Sequence, residues 1–246
     1  MFPILNLGPL AIQAPGLILL AGLYVAVLVV EKQSKHFTVS ANDMTNLLFT
    51  YLISTVILGR LAYILEFPAV MLEKPLSIIS LNPNLFDFPS GLVLSILIAL
   101  IFIQRKNLNL NEVLEALALP LLIFLVFFFF AQYASGNLFG KPSSLPWSIQ
   151  LWGTSRHPLQ LYYIIGLIPI VFLTIKNMKS KNSQRFLLLR SLSYLSFLVI
   201  FLDFFNGDPN NLIGNINELQ LIAFVAFLIF STILNLKIRK PQAGTN

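Results

Sequence analysis

The chain has 246 residues, a net charge of +6, 57% hydrophobic residues and only 11% charged residues. Soluble domains carry about 25% charged residues, so this composition excludes a water-soluble fold and indicates an integral membrane protein. The chain has no cysteine and two histidines. This excludes disulfides and thiolate chemistry and argues against a metal site, so we expect neither a metal nor a cofactor.

Seven apolar stretches predict membrane-spanning helices. Most of them approach the ~20 residues that a helix needs to cross the hydrocarbon core. Because backbone groups in lipid need hydrogen-bond partners and no alternating barrel pattern appears, we expect an all-α bundle that forms a single membrane domain over residues 1–246. In chain order the stretches are Pro15–Val30, Leu47–Leu65, Gly91–Ile103, Val113–Phe130, Leu161–Ile175, Phe186–Phe205 and Leu219–Leu236.

The basic residues divide unevenly between the two sides of this arrangement. Of the 16 Lys and Arg residues, 12 follow the first, third, fifth and seventh stretches. Cytoplasmic loops carry the excess of Lys and Arg in membrane proteins, so the N-terminus is predicted to lie outside and the C-terminus in the cytoplasm. The positive charge is attributed to these loops, and we expect no nucleic-acid partner.

Arg60 lies inside the second apolar stretch, with Tyr63 on the same helical face. A charge near the centre of a membrane helix costs about 2.5–3.5 kcal/mol on insertion scales. The arginine can face a polar cavity and hold an anion such as a lipid phosphate. It can equally extend to the headgroups or pair with Glu66, and the sequence leaves these alternatives open.

Asp203 stands in "FLDFFNGDP", at the predicted outer end of the sixth stretch. Its carboxylate can act as a base or as the partner of a buried arginine. It can also be a polar cap where the helix ends. The sequence favours the cap, because Asn206, Gly207 and Asp208 follow at once.

His157 lies in "SRHPLQLYY", between Arg156 and Pro158, in an outer loop that is predicted to be ordered by its prolines, glycines and tryptophans. Proline is favoured at the first position of a helix, so a helix is predicted to start here, with Gln160 and Tyr162 on its first turn. Helix N-termini attract anions. Arg156 and His157 therefore mark either an anion site or a capped helix with an interfacial arginine.

Several segments, in this order, resemble the prolipoprotein diacylglyceryl transferase family. They are "LGPLAI", "GRLAYIL", "GNLFGKPSSLPWSI", "SRHPLQLYY" and "FLDFFNGDP", and they span nearly the whole chain. The resemblance implies seven helices with the orientation given above, in the bacterial cytoplasmic membrane. It also implies transfer of a diacylglyceryl group from phosphatidylglycerol to the lipobox cysteine of a lipoprotein precursor.

The chain departs from the family at several polar positions. Pro89 stands where the family has the histidine of a His-Gly-Gly motif. Phe129 and Gln132 stand near the arginine and the asparagine of the family's Gly-Arg-(Ile/Leu)-Gly-Asn-Phe signature. Tyr163 stands where the family has a glutamate after "QLY". Further departures are Val199 and Asn206, where the family has arginines, and Ala14 and Pro15, where it has an aromatic pair.

These departures remove cations and donors that an anionic headgroup needs, and titratable groups that activation of a thiol needs. We therefore interpret the chain as a family-like membrane protein with lost or altered chemistry and a retained lipid-binding groove. The expected ligand is an anionic phospholipid such as phosphatidylglycerol, with a lipoprotein precursor or another membrane protein as a further partner. A working divergent transferase is the alternative, and a transporter or channel is a weaker one.

The residue patterns and the resemblance together give two groups of candidate site residues. His157 and Asp203 are the candidate catalytic residues. The candidate lipid-binding residues are Arg60, Tyr63, Gln132, Arg156, Gln160 and Tyr162.

Overall fold

The computed structural model describes residues 4–7, 10–69, 85–180, 185–207, 211–213 and 216–239. Within these residues, seven helices are long and apolar enough to cross a membrane, which confirms the predicted number of spans. They are α1 (Ala14–Gln33), α2 (Ala41–Glu66), α3 (Phe88–Arg105), α4 (Leu110–Ser135), α5 (Leu159–Met178), α6 (Leu187–Leu202) and α7 (Glu218–Arg239).

Most of these helices extend beyond the predicted apolar stretches, because hydropathy marks only their middle. The helix α2 begins at Ala41, six residues before the predicted start at Leu47. The Ser40 hydroxyl accepts a hydrogen bond from the backbone N–H of Asp43 at 3.0 Å, which satisfies one of the N–H groups that a helix start leaves without an intrahelical partner. Local polar chemistry therefore sets this boundary.

Short antiparallel strand pairs accompany the helices, and the sequence analysis predicted none of them. The hairpin that matters for the site joins β3 (Ile149–Leu151) to β4 (Thr154–Arg156) through Trp152 and Gly153. These two residues have φ values of +53° and +76°. Two-residue hairpin loops with positive φ at both positions match the twist of the strands. The other pairs are β1 (Ile4–Leu7) with β2 (Leu10–Gln13), and β5 (Asn211–Ile213) with β6 (Ile216–Asn217).

The chain divides into two compact units. The first comprises Met1–His36 and Leu114–Asn246, and the second comprises Phe37–Val113. In the second unit, α2 packs closely against α3. A side-chain carbon at Gly91 would overlap the carbonyl oxygen of Thr55, so glycine is what allows this approach.

In the first unit, a buried apolar cluster joins α4, α5 and the end of α6. A proline inside α4 also has a specific partner. Pro120 has no N–H group, so the carbonyl of Ala116, one turn earlier, lacks its usual intrahelical donor. The side-chain amide of Gln33 donates to this carbonyl. The cluster consists of Leu122, Phe129, Leu159, Tyr163, Ile164, Leu167, Ile170 and Leu202.

Candidate functional site

The candidate site of the first unit is built around one extended segment, residues 139–143. On one side, the Gly140 N–H donates to the carbonyl of His157 at 3.1 Å, and the His157 N–H donates to the carbonyl of Lys141 at 3.0 Å. On the other side, the Lys141 N–H donates to the carbonyl of Phe205 at 2.8 Å. The segment thus links the residues before α5 to the residues after α6.

Gly140 is required for this arrangement because its neighbours lie very close. A side-chain carbon at this position would lie 2.5 Å from both Cβ and the carbonyl oxygen of His157. Such a separation is well inside van der Waals contact, so any larger residue would push His157 away. The glycine in "NLFGKP" therefore fixes where the histidine sits.

The side chain of His157 belongs to a group that we call the loop corner, formed by Trp147, His157, Tyr162 and Phe205. His157 Nδ1 lies 3.0 Å from the hydroxyl oxygen of Tyr162, and Trp147 Nε1 donates to the same oxygen at 2.8 Å. The ring of Phe205 packs edge-on against the imidazole, with centroids 5.2 Å apart. The imidazole is thereby held by a hydrogen bond at one edge and a ring contact.

Arg156 is the last residue of β4 and lies beside the same segment. Its guanidinium carbon lies 4.7 Å from the centre of the Phe139 ring, and Nη1 donates to the carbonyl of Gly140 at 3.4 Å. Its Nε atom is buried and has no hydrogen-bond partner among the described residues. The arginine therefore keeps one unused donor.

The start of α5 corrects one prediction about this region. Pro158 was predicted to occupy the first helical position, but α5 begins at Leu159. Pro158 has ψ of 70°, which is not helical, and it precedes the helix as its N-cap residue. Arg156 consequently belongs to the hairpin strand, and its side chain packs on Phe139.

Gln160 is fully buried in the first turn of α5. Its Nε2 atom donates to the carbonyl of Asn137, while Oε1 is buried without a partner among the described residues. A buried polar atom without a partner costs about 1–3 kcal/mol. This oxygen is therefore an unsatisfied acceptor inside the packed start of α5.

Asp203 directly follows α6 and is 0% exposed. One carboxylate oxygen accepts a hydrogen bond from Asn206 Nδ2 at 2.9 Å, and the other accepts from Asn217 Nδ2 at 2.8 Å. Asn217 also donates to the Asp203 carbonyl at 3.1 Å. The carboxylate therefore links the end of α6 to the residue that precedes α7.

Two positions that depart from the family motifs meet in the core. The rings of Phe129 and Tyr163 are stacked with their centroids 4.3 Å apart and their planes 1° from parallel. Their exposed fractions are 8% and 2%. We call this contact the aromatic stack. The sequence analysis singled out both positions separately and did not predict that they touch.

Arg60 and Tyr63 belong to the second unit. Arg60 is 8% exposed and donates from Nη1 to the carbonyl of Leu85. Its guanidinium carbon lies 5.2 Å from the Phe86 ring centre and 6.0 Å from that of Tyr63. The arginine is thus buried against the segment before α3. Its predicted contact with a lipid stays a prediction.

Sequence reasoning missed some of the residues that build the site, and it placed Gln132 only by analogy. Gln132 is half-buried near the end of α4, where its backbone carbonyl accepts from the Asn137 N–H at 3.1 Å. Phe205 and Asn217 carried no motif that pointed to His157 or Asp203. Trp147 lay in a recognised segment, "SSLPWSI", but its partner Tyr162 is 15 residues away, so only the fold reveals their contact.

Comparison with known proteins agrees with the motifs. The family model described as "Prolipoprotein diacylglyceryl transferase" matches residues 3–236. A Bordetella parapertussis protein named "Phosphatidylglycerol--prolipoprotein diacylglyceryl transferase" is 29% identical over 85% of this chain and 83% of its own length. A Geobacter sulfurreducens protein of the same name is 24% identical over 96% of this chain and 94% of its own length. A Polynucleobacter asymbioticus protein of that name is 34% identical over 50% of this chain and 49% of its own length.

Proposed function

Because the chain belongs to the prolipoprotein diacylglyceryl transferase family, we propose that it binds an anionic phospholipid, such as phosphatidylglycerol, without carrying out efficient diacylglyceryl transfer. Its seven spans and its bacterial relatives make it a multi-pass protein of the bacterial cytoplasmic membrane. The names of those relatives pair phosphatidylglycerol with a prolipoprotein. In this proposal the chain still binds the phospholipid but no longer transfers its diacylglyceryl group efficiently.

The observation that carries this proposal is the aromatic stack. The resemblance to the family motifs implies an arginine near the position of Phe129 and a glutamate at the position of Tyr163. Here two neutral rings lie face to face at 4.3 Å, a separation that leaves no room for another group between them. Such a pair contributes about 0.5–1.5 kcal/mol beyond its buried area. It supplies neither a charge-assisted hydrogen bond nor a titratable group suited to proton transfer near neutral pH.

The burial and the hydrogen bonds of Asp203 also argue against acid–base chemistry at this carboxylate. A general base must reach the proton that it removes. Both oxygens of Asp203 already accept hydrogen bonds from asparagine side chains, and the residue is 0% exposed. These contacts favour a structural role for Asp203 at the end of α6.

The loop corner and its neighbours support retained binding. Arg156 is half-buried and carries a permanent positive charge, which suits a phosphodiester oxygen. It directly precedes His157 in the sequence. Binding of an anionic headgroup needs such a charge, whereas transfer requires reactive groups in addition.

A second candidate function is a working divergent transferase that uses His157. The observation that favours it is the position of this imidazole, which is half-buried and fixed by Tyr162 and Phe205. A held histidine is the commonest general base in enzymes. In this alternative, His157 would activate the acceptor thiol even though the aromatic stack lacks charged groups.

The two functions separate in one reconstituted assay. The purified protein is placed in phosphatidylglycerol vesicles with a lipobox peptide, and mass spectrometry measures both the retained phospholipid and the diacylglyceryl peptide. The Bordetella parapertussis relative serves as the positive control. We expect retained phosphatidylglycerol and no product above background. Product formation that disappears in His157→Ala would instead establish the second function.

A further inference from the structure

The hydrogen-bond chain of the loop corner has a direction. Trp147 Nε1 lies 2.8 Å from the hydroxyl oxygen of Tyr162, and an indole nitrogen can only donate. One lone pair of the Tyr162 oxygen is therefore occupied. The proton of the Tyr162 hydroxyl still needs an acceptor.

His157 Nδ1 is the one acceptor that the described residues offer for that proton. It lies 3.0 Å from the Tyr162 oxygen, and no other hydrogen-bond partner of this hydroxyl is found in the described part of the chain. If Nδ1 carried a proton, the Tyr162 oxygen would accept hydrogen bonds from both Trp147 and His157, and its own proton would have no acceptor among the described residues. The satisfied arrangement has Nδ1 accepting and Nε2 protonated.

The surroundings of His157 keep the imidazole in this position. Its backbone N–H and carbonyl are both paired with residues 140–141. The Phe205 ring contacts it at 5.2 Å and lies 6.1 Å from the Tyr162 ring. A rotation of the imidazole away from Tyr162 would break both the hydrogen bond to Tyr162 and the ring contact with Phe205. These two contacts therefore fix the orientation of the imidazole.

We infer that Trp147 and Tyr162 are positioning residues that lock neutral His157 in the tautomer with the proton on Nε2. His157 then presents a hydrogen-bond donor, rather than a proton acceptor, to an oxygen atom of the bound molecule. This inference rests on the proposed function, in which His157 belongs to a lipid-binding site, and it specifies what the histidine contributes there.

The lock is the reverse of the arrangement found in hydrolytic triads. In those enzymes the supporting group accepts a hydrogen bond from Nδ1–H, and Nε2 is left free to take a proton. In the loop corner the supporting hydroxyl donates to Nδ1, so Nε2 carries the proton of the neutral imidazole and has no lone pair with which to accept another. Binding of an acceptor oxygen is favoured, and removal of a thiol proton is not.

The composition of the chain makes this tautomer directly measurable. Only two histidines are present, so His36→Gln leaves His157 as the single imidazole. The variant is labelled with 15N-histidine, placed in lipid nanodiscs and studied by NMR at alkaline pH, where an imidazole is neutral. Protonated and unprotonated ring nitrogens differ widely in 15N chemical shift. We expect Nε2 to be the protonated nitrogen and Nδ1 the unprotonated one.

Two variants in the same background test the positioning residues. Tyr162→Phe removes the donor to Nδ1 but keeps the ring, and Trp147→Phe removes the N–H that fixes the direction of the Tyr162 hydroxyl. Each is expected to give a mixture of tautomers, seen as the two 15N shifts moving toward each other. The matched controls Tyr194→Phe and Trp152→Phe remove the same groups elsewhere and should leave both shifts unchanged.

The tautomer of His157 in the His36→Gln protein tests the inference even if a positioning variant fails to fold. A protonated Nδ1 in the His36→Gln protein would overturn the inference, as would shifts that stay unchanged in a folded Tyr162→Phe variant. This outcome is independent of the vesicle assay. Diacylglyceryl transfer by a protein whose Nε2 is protonated would overturn the proposed function and leave the lock in place.

Discussion

Two adjacent tyrosines of α5 lie in contrasting surroundings. The Tyr162 hydroxyl contacts His157 and Trp147 through hydrogen bonds of 3.0 and 2.8 Å. The Tyr163 ring is buried and stacked on Phe129 at 4.3 Å. The loop corner keeps residues that the family motifs contain, whereas the aromatic stack pairs Tyr163, where the resemblance implies a glutamate, with Phe129, which lies near the implied arginine.

The physical difference between the two regions explains how they can change independently. In the loop corner, each polar group satisfies another, so removal of one partner leaves a donor or acceptor unpaired. In the core, apolar replacements are tolerated when shape and volume are matched, and two stacked rings fill space without needing ionic partners. Loss of reactive groups in the core therefore does not require loss of the loop corner.

The largest expected effect concerns the side of the membrane on which the loop corner lies, because the result is all or none. The distribution of basic residues predicts that this loop lies outside. Ser143→Cys and Ser180→Cys, made separately in this cysteine-free chain, should react with a membrane-impermeant thiol reagent from opposite sides of the membrane. Intact cells are expected to label position 143 only. Labelling of both positions in intact cells would show that the orientation is wrong.

Removal of half of the aromatic stack is expected to cause the largest loss of stability. Phe129→Ala deletes a ring that is 8% exposed, and such deletions cost about 3–5 kcal/mol in the free energy of unfolding. Unfolding of the purified protein by SDS in mixed micelles measures this loss. Phe172→Ala, which removes an exposed ring of α5, should change stability by less than about 0.5 kcal/mol. Equal effects of the two substitutions would mean that the stack contributes nothing specific.

Loss of a partner of Asp203 should have an intermediate effect. Asn217→Ala removes the amide that donates to the carboxylate at 2.8 Å and to the carbonyl at 3.1 Å. Hydrogen bonds to charged groups contribute about 1.5–3 kcal/mol, so the same unfolding measurement should show a decrease of that size. Asn235→Ala, at an exposed position of α7, is the control. An unchanged stability in Asn217→Ala would argue against Asp203 as a structural cap.

A smaller but more local effect is expected at Gly140. Gly140→Ala places a carbon 2.5 Å from His157 Cβ and its carbonyl oxygen, so His157 must move, at a cost of about 1–3 kcal/mol. The NMR signals of His157 should shift together with this loss of stability. Gly16→Ala, where the new carbon meets no neighbour within 4 Å, should leave the His157 signals unchanged and should not lower stability, because alanine is favoured over glycine in a helix. If Gly140→Ala leaves the His157 signals unchanged, Gly140 does not pack closely against His157 and this part of the account is wrong.

The sequence predicted the features that depend on hydropathy averaged over many residues. It did not predict the side-chain contacts between residues that are far apart in the chain. Seven spans were predictable because hydropathy accumulates over about 20 residues. The proximity of His157 and Tyr162 was also predictable, because both lie near the start of one helix. The contacts of His157 with Phe205 and of Asp203 with Asn217 were not, since they depend on how residues 139–143 and the end of α6 come together. A single sequence contains no local signal for such pairings.

The aromatic stack also shows that a sequence can identify single positions without revealing that they are in contact. Comparison with family motifs identified Phe129 and Tyr163 as departures, one near the end of α4 and one near the start of α5. Only the fold shows that these two departures are in contact. By the resemblance, each exchange taken singly replaces a charged side chain at or near that position. Taken together, they form one apolar contact, and this pairing makes loss of chemistry a more specific interpretation than scattered divergence.

The central claim is that the chain keeps the family's scaffold and has lost efficient diacylglyceryl transfer. The most direct measurement is complementation of a bacterial strain that has been depleted of its own transferase. With the chain present in the membrane at the level of a complementing Bordetella parapertussis relative, lipoprotein precursors should stay unmodified and growth should stop on depletion. Restored growth with modified lipoproteins, lost again in His157→Ala, would contradict the claim.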